Sequence, residues 1–465
     1  MSSPNISNLK PQTSNLEDTI CALATASGGA ISMIRVSGPK AFDAVSSICS
    51  VRCDSVAANT IHFTRIFDKT SNLKPQTSNP IDEVMVSVFK SPHSYTGEDS
   101  EEISCHGSRY ILNKVLALLI ENGCRQAGPG EFTQRAFLNG KLDLSQAEAV
   151  ADLIASTNKA THQMAMSQLR GHFSSQLAQL REQLLKLTSL LELELDFSDH
   201  EDLEFADRSE LLELTKTIDQ HITRLAKSFE TGQALKQGIP VAIVGKTNVG
   251  KSTLLNRLLK DDRAIVSDVH GTTRDTIEDT IDINGITFRF IDTAGIRQTS
   301  DKVEQIGISR TYATIDKARI VLWLIDEAPT KEELQDMQER CEDKSLIIIQ
   351  NKIDKNPNIP EGTIAISAKF GTNLSELESA IYLAADIPTL RENDVIISNA
   401  RHYDALTHAH AHLERVLDGM SQNISGDLLA EDLRLTLDTL AEITGGQITP
   451  NEVLGNIFKH FCVGK

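Results

Sequence analysis

The residues best suited to chemistry form one loop, Gly245-Lys246-Thr247-Asn248-Val249-Gly250-Lys251-Ser252, with Thr253 behind it. Glycines there let backbone N–H groups turn inward around phosphate oxygens, and the amides that open a following helix add donors. Lys251 can reach the β- and γ-phosphates and serve catalysis, and the Ser252 hydroxyl can hold Mg2+. Asn248, Val249, Gly250, Lys251, Ser252 and Thr253 are therefore the first candidate nucleotide contacts. A second cluster is Asp292-Thr293-Ala294-Gly295, where Asp292 suits a position beside Mg2+ and the Gly295 amide can sense the γ-phosphate. A third is Asn351-Lys352-Ile353-Asp354, whose carboxylate can accept two hydrogen bonds from guanine N1 and N2. Adenine offers no such donor pair, so the base expected is guanine. The backbone of Ser367-Ala368-Lys369 can contact guanine O6.

These groups need a frame. Ile239 to Val244 is a short apolar run that feeds the loop, and Thr253 to Leu258 continues it as a helix, the strand–loop–helix context that a phosphate cradle requires. Phe288 to Ile291, Leu346 to Gln350 and Ile364 to Ile366 read as strands leading into the other clusters. In this order the motifs resemble the Ras-like GTPase superfamily. Two details narrow the resemblance. Ile296 follows Gly295 where Ras-like proteins carry a water-orienting glutamine, so another group must position water. The segment Ser267-Asp268-Val269-His270-Gly271-Thr272-Thr273-Arg274-Asp275 supplies Thr273 as a second hydroxyl for Mg2+. With Asn248, its GTTRD string resembles translation-factor-related bacterial GTPases that use K+.

Around this α/β block the 465-residue chain changes character. Residues 1–18 look disordered and carry the nonapeptide Ser7 to Asn15, repeated identically at Ser71 to Asn79, as a duplicated insertion tolerated at a terminus and a loop tip would be. Residues 19–139 read as a small α+β domain, with strands at Ile31–Val36 and Val84–Phe89 and a helix from Tyr110 to Glu121. Residues 140–236 are helical, with Leu184, Leu187, Leu191 and Leu195 marking a buried face; after Thr231-Gly232 the composition turns to short strands and glycine turns. The α/β block is placed at 237–388, and helical periodicity resumes over 389–465. The fold class expected is multidomain α/β, with one helical domain made from two sequence-distant segments and the nucleotide domain inserted between them.

Bulk properties agree with a globular enzyme. Apolar residues make up 40% and charged residues 24% of the chain. Seven scattered cysteines without a CxxC pair suggest neither a disulfide framework nor zinc, and fit a reducing cytoplasm. No uncharged apolar run would span a bilayer, and no signal peptide is evident, so no membrane association is expected. A net charge of −18 argues against binding nucleic acid through the whole surface, so RNA contact would be shared with a partner.

The two flanks carry a more specific resemblance. Phe461-Cys462-Val463-Gly464-Lys465, Arg35-Val36-Ser37-Gly38, Ser94-Tyr95-Thr96-Gly97-Glu98-Asp99, Pro129-Gly130-Glu131-Phe132-Thr133 and Arg135 to Leu144 are similar to segments of the MnmE (TrmE) family of tRNA-modification GTPases. The resemblance runs from Thr19 to Lys465. It implies an N-terminal domain that dimerises and binds a tetrahydrofolate derivative, 5-formyl- or 5,10-methylene-, through Arg35, Glu102, Lys141 and Lys465. It implies K+ held by Asn248, Ser267, the Val269 carbonyl and Thr272, Mg2+ held by Ser252 and Thr273, and Glu304 in place of the glutamine. It also implies a flavoprotein partner, MnmG, which carries the FAD and joins a heterotetramer. Their shared product would be a carboxymethylaminomethyl or aminomethyl group on C5 of the wobble uridine, position 34, of certain tRNAs. One departure is the short Ala24-Thr25-Ala26-Ser27-Gly28-Gly29 stretch, where the family often has Pro, Gly and Arg.

Each lone residue keeps a plainer reading. Arg35, Glu102, Lys141 and Glu304 also read as ordinary charges. Cys462 reads as a nucleophile or as a positioning residue, and the lack of an identifiable base favours the second. Cys49 with Cys53, and His408 with His412, each resemble half a metal site without further ligands. The rival function is a GTP-dependent regulatory or ribosome-assembly switch with no modification chemistry.

Overall fold

The computed structural model describes residues 18–26, 28–68, 80–196, 208–262, 279–291, 312–356, 359–388, 391, 393–422, 424–446, 454, 457–459 and 461–464. Both copies of the nonapeptide lie outside them. The chain divides into two compact units. One draws on residues up to 154, 168–188 and from 433 onward; the other on 155–167 and 189–432. Among the described residues no helix is long and apolar enough to cross a membrane.

The first unit is built on a six-stranded sheet in the order β3-β4-β5-β2-β1-β6, from β1 (Thr19–Leu23), β2 (Ile31–Ser37), β3 (Thr60–Ile66), β4 (Asp82–Phe89), β5 (Ser100–His106) and β6 (Cys124–Gln126). Strand alternation sends Cys21, Ile34, Val36, Val84, Val86 and Ile103 to one face, where they form a core with α1 (Ala41–Ile48) and α2 (Arg109–Glu121). Ile20 and Ala22 face the other way and meet Phe132 of α3 (Glu131–Leu138). Leu144 and Ala147 of α4 (Leu144–Ala155) pack with Leu454 and Phe458. Residues 461–464 then run back onto this unit. Pro129 and Val463 form an antiparallel bridge, and the Gly130 N–H donates to the Cys462 carbonyl at 3.2 Å. α6 (His172–Asp196) buries Leu184, Leu187 and Leu191 as its leucine spacing requires; the Leu195 side chain lies outside the described residues.

The second unit holds a sheet in the order β12-β11-β10-β7-β9-β8. Its strands are β7 (Ile239–Val244), β8 (Asp279–Ile283), β9 (Ile286–Phe290), β10 (Ile320–Ile325), β11 (Ser345–Gln350) and β12 (Ile364–Ala365), all pairing in parallel except β8 with β9. β10 is buried along its whole length, as expected of a central parallel strand covered on both faces. α8 (Lys251–Asp262) and α10 (Leu374–Ala384) contribute to one apolar core, and α9 (Lys331–Arg340) to the other. α5 (Lys159–Leu169) begins at the β8–β9 turn, where the Ala160 N–H reaches the Gly285 carbonyl and the Asn158 amide bonds Thr287.

Helices from both sides of this sheet pack on each other. α7 (Arg208–Gln237) lies along α11 (Ala400–Ser421), with the Phe229 and Tyr403 rings stacked at 4.4 Å and His410 bonded to Asp219 at 2.6 Å. α12 (Gly426–Thr444) follows. α7 runs through the composition change at Thr231-Gly232 to Gln237, close to the expected limit at residue 236. A Cβ on Gly232 would sit 2.0 Å from the Ile397 carbonyl oxygen, so the glycine marks a close approach of the returning chain instead of a helix stop.

Candidate functional site

In the second unit β7 delivers the chain into the phosphate loop, and α8 starts at Lys251. Asn248 takes a left-handed backbone (φ 64°), and its side chain is exposed. The Lys251 ammonium donates to the carbonyls of Gly245 and Lys246 at 2.7 and 2.8 Å. Burial pulls its pKa below that of a free lysine. Those bonds hold the ammonium over the loop that would wrap the phosphates.

The candidate base-reading motifs are tied to this loop by one side chain. The Asn351 amide donates to the Val249 carbonyl at 2.7 Å, and its oxygen accepts the Ala368 N–H at 3.0 Å. Asn351 is a strut joining the phosphate loop, the end of β11 and the Ser367–Lys369 turn. Gly250 accommodates it, because a Cβ there would lie 2.3 Å from the Asn351 amide nitrogen. The Ser367 hydroxyl donates to the Asp354 carboxylate at 2.7 Å and holds one of its oxygens. Lys352, at φ 63°, pairs with Asp326 at 3.0 Å.

In the first unit register explains the pairing of the candidate charges. Arg35 on β2 stands directly opposite Glu102 on β5, and its guanidinium bonds Oε1 at 2.9 and 2.8 Å. The same guanidinium lies 5.1 Å from the Tyr95 ring centre and 5.7 Å from that of Phe132. Tyr95 donates to or accepts from Thr133 at 2.8 Å, and burial raises its phenol pKa against the opposing pulls of Thr133 and Arg35. Lys141 reaches the same loop elsewhere, donating to the Pro92 carbonyl at 3.0 Å. Beneath the loop, fully buried Arg135 bonds Glu98, Glu131 and the Asp18 carbonyl. Burial opposes ionisation of Glu131, yet its bonds to Arg125 and the Gly128 N–H hold its pKa below the usual carboxylate range. This corner is two aromatic rings and an ion pair on a rigid ionic base.

Two family models match the chain: the GTP-binding protein TrmE N-terminus over residues 19–141 and the MnmE helical domain over residues 144–462. The tRNA modification GTPase MnmE of Bacteroides thetaiotaomicron is 53% identical over 469 residues, covering 97% of this chain and 100% of that relative. The chain belongs to the MnmE family. The Flavobacterium johnsoniae member is 49% identical, covering 97% of this chain and 99% of its own length. Membership makes this chain a GTP-binding GTP hydrolase.

Several expected residues of this MnmE-family chain lie outside the described residues: Glu304, Ser267 through Asp275, Asp292 through Gly295, and Lys465. Cys462 is described, and its side chain is exposed. Among the described residues no group of three His, Cys, Asp or Glu side chains could hold a metal, and His412 instead lies beside Arg415 and Asp432. Sequence reasoning passed over Tyr95, Phe132 and the strut role of Asn351. The first two were visible as the aromatics within the quoted motifs; the third depends on a partner 102 positions away.

Proposed function

We propose that this chain hydrolyses GTP as a K+- and Mg2+-dependent homodimer and, with the flavoprotein MnmG, modifies C5 of the wobble uridine of certain tRNAs with a folate one-carbon unit. The observation that carries this reading is the Arg35–Glu102 pair beside Tyr95 and Phe132, in the same unit that receives residues 461–464. A bare nucleotide switch needs neither. The charged pair offers donors and acceptors to a pterin edge, the rings offer flat contact, and Lys141 and Lys465 would serve the anionic glutamate tail. Such a folate would supply the one-carbon unit. Exposed Cys462 would position it, since no base stands beside the thiol among the described contacts.

In the nucleotide domain the backbone amides of residues 248–253 would bind the phosphates, Lys251 would neutralise their charge, and Asp354 would read guanine. Ser252 and Thr273 would hold Mg2+. The solvent-open Asn248 carboxamide fits a cation, and Ser267, the Val269 carbonyl and Thr272 would complete the K+ site; K+ would supply positive charge to the transition state. Glu304 would orient the attacking water. Dimerisation is supported by an apolar strip on the sheet. Phe63 and Met85 face each other across β3 and β4, and Ile61 lies two residues along; the three are 62%, 42% and 62% exposed. A cytoplasmic location fits this chemistry.

Titration calorimetry with 5-formyl-tetrahydrofolate on the intact protein tests the reading. Binding that is lost in Arg35→Ala is expected. No heat and no protection against thermal unfolding would leave the GTP-dependent switch as the better account.

A further inference from the structure

A second chemical cluster lies on the opposite face of the first sheet, away from Arg35. The chain leaves α1 at Cys49, makes a short turn and enters a single 3-10 turn at Cys53. The two side chains are 3% and 0% exposed and share one apolar core. The Cys53 N–H is fixed by the Ser46 hydroxyl at 2.9 Å, and its thiol lies beside that of Cys49. The Cys49 sulfur also lies 3.3 Å from the Val51 carbonyl. From β5, Glu101 projects into this core with no exposed surface. Neither of its carboxyl oxygens has a hydrogen-bond partner of good geometry, and the polar group leaning on it is the Cys53 thiol. A buried carboxyl left in this state costs stability and calls for an explanation.

We propose that Cys49 and Cys53 are a peroxide-responsive thiol pair that closes to a disulfide, with the Glu101 carboxyl relaying the proton. Two lone buried thiols in an apolar core would be inert. What sets this pair apart is their mutual contact across a three-residue turn and the carboxyl beside them. Burial, with Asp99, Cys49 and Asp43 adding to it, pushes Glu101 up to about 9 against the pull of Cys53, so the carboxyl carries a proton at neutral pH. Cys49, at the end of α1, keeps a trace of exposure (3%) where Cys53 has none, so the attack on peroxide is assigned to Cys49.

The chemistry balances in two steps. Cys49 Sγ attacks a peroxide oxygen and the O–O bond breaks. Cys49 becomes a sulfenic acid, and its thiol proton leaves with the departing hydroxide as water. Cys53 Sγ then attacks the sulfenic sulfur; the S–S bond forms and the S–O bond breaks. The leaving hydroxide takes the Glu101 proton, and Glu101 recovers one from the Cys53 thiol. Two thiols and one hydrogen peroxide thus give one disulfide and two waters.

The test uses the full chain treated with hydrogen peroxide, alkylated and digested with trypsin. Cleavage after Arg52 separates Cys49 in residues 41–52 from Cys53 in residues 53–65, so a disulfide appears as two peptides joined until dithiothreitol is added. Joined peptides are expected in the wild-type chain. Their absence under conditions that fully oxidise exposed Cys462 overturns the pair. In Glu101→Gln, joining should slow at least tenfold and dimedone should trap the sulfenic acid at Cys49. A variant that closes at the wild-type rate without the adduct overturns the relay. A wild-type circular dichroism spectrum and a single cooperative thermal unfolding transition in Glu101→Gln certify the fold of the unit that holds it.

Discussion

Replacing Glu101 with Gln should change how stability depends on pH, not merely how large it is. Glu101 is fully buried, and its pKa rises from the usual 4.5 to about 9. Its neutral form is favoured by the fold. The stability it allows is therefore intact below pH 4.5 and drains away as pH climbs toward 9, because unfolding releases a proton over that window. Each pH unit in the window costs about 1.4 kcal/mol, which gives about 3 kcal/mol at pH 7 and about 5 kcal/mol at pH 8 as upper figures. Gln keeps the shape and cannot ionise. Hydrogen exchange of amides in β5, corrected for intrinsic rates, reads the difference directly. Protection in Glu101→Gln should exceed that of the wild-type chain by a margin that widens roughly a hundredfold, about 3 kcal/mol, from pH 6 to pH 8. Parallel curves for the two proteins across that range would refute the reasoning, since they would mean Glu101 titrates alike in the folded and unfolded chain.

Four further outcomes are expected. Asp354→Asn should shift preference from GTP toward xanthosine triphosphate; a mutant as selective for GTP as the wild type in competition binding would contradict the role given to Asp354. Hydrolysis should be fast in KCl and slow in NaCl, and Asn248→Ala should erase that difference while nucleotide binding survives. Glu304→Ala should slow turnover by a hundredfold or so, in the range of about 10²–10⁴ for such groups, with little change in GTP affinity; a normal rate would make Glu304 an ordinary charge. Phe63→Glu should yield monomers in sedimentation, and an unchanged dimer would move the interface away from the β3–β4 strip.

Local features were legible in the sequence; of the distant ones, the pairing of the two helical flanks was and individual side-chain ties were not. The phosphate loop is read from residues 245–252 because its strand, glycines and helix start are contiguous, and the structure places Ile239–Val244 and Lys251–Asp262 as that pattern requires. The helical pairing of the two flanks was legible from unsatisfied apolar stripes, and α7 and α11 meet through Phe229 and Tyr403. The composition change at Gly232 did not show that a crossing chain meets the helix there, because a glycine that ends a helix and one that admits a crossing chain look alike in sequence. Glu101 was invisible for a related reason. It stands next to Glu102 in a polar run, and only strand alternation turns one carboxyl toward Arg35 and the other into the core. The Asn351 strut is closed by Val249 and Ala368, and no local pattern announces a tie of that length.

The seating of residues 461–464 on the Pro129–Gly130 turn also bears on how the protein is made. The sheet and helices of residues 19–138 can assemble early on the ribosome, yet the strand partner for Pro129 is Val463. At about 5–20 residues per second, synthesis of the intervening chain takes on the order of half a minute. During that interval the Pro129–Gly130 turn stands without its bridge partner, and the Phe461 ring and Phe458 carbonyl that close over Gly130 do not yet exist. The last contacts of the first unit are therefore made by residues synthesised hundreds of positions after its sheet, so this unit closes late.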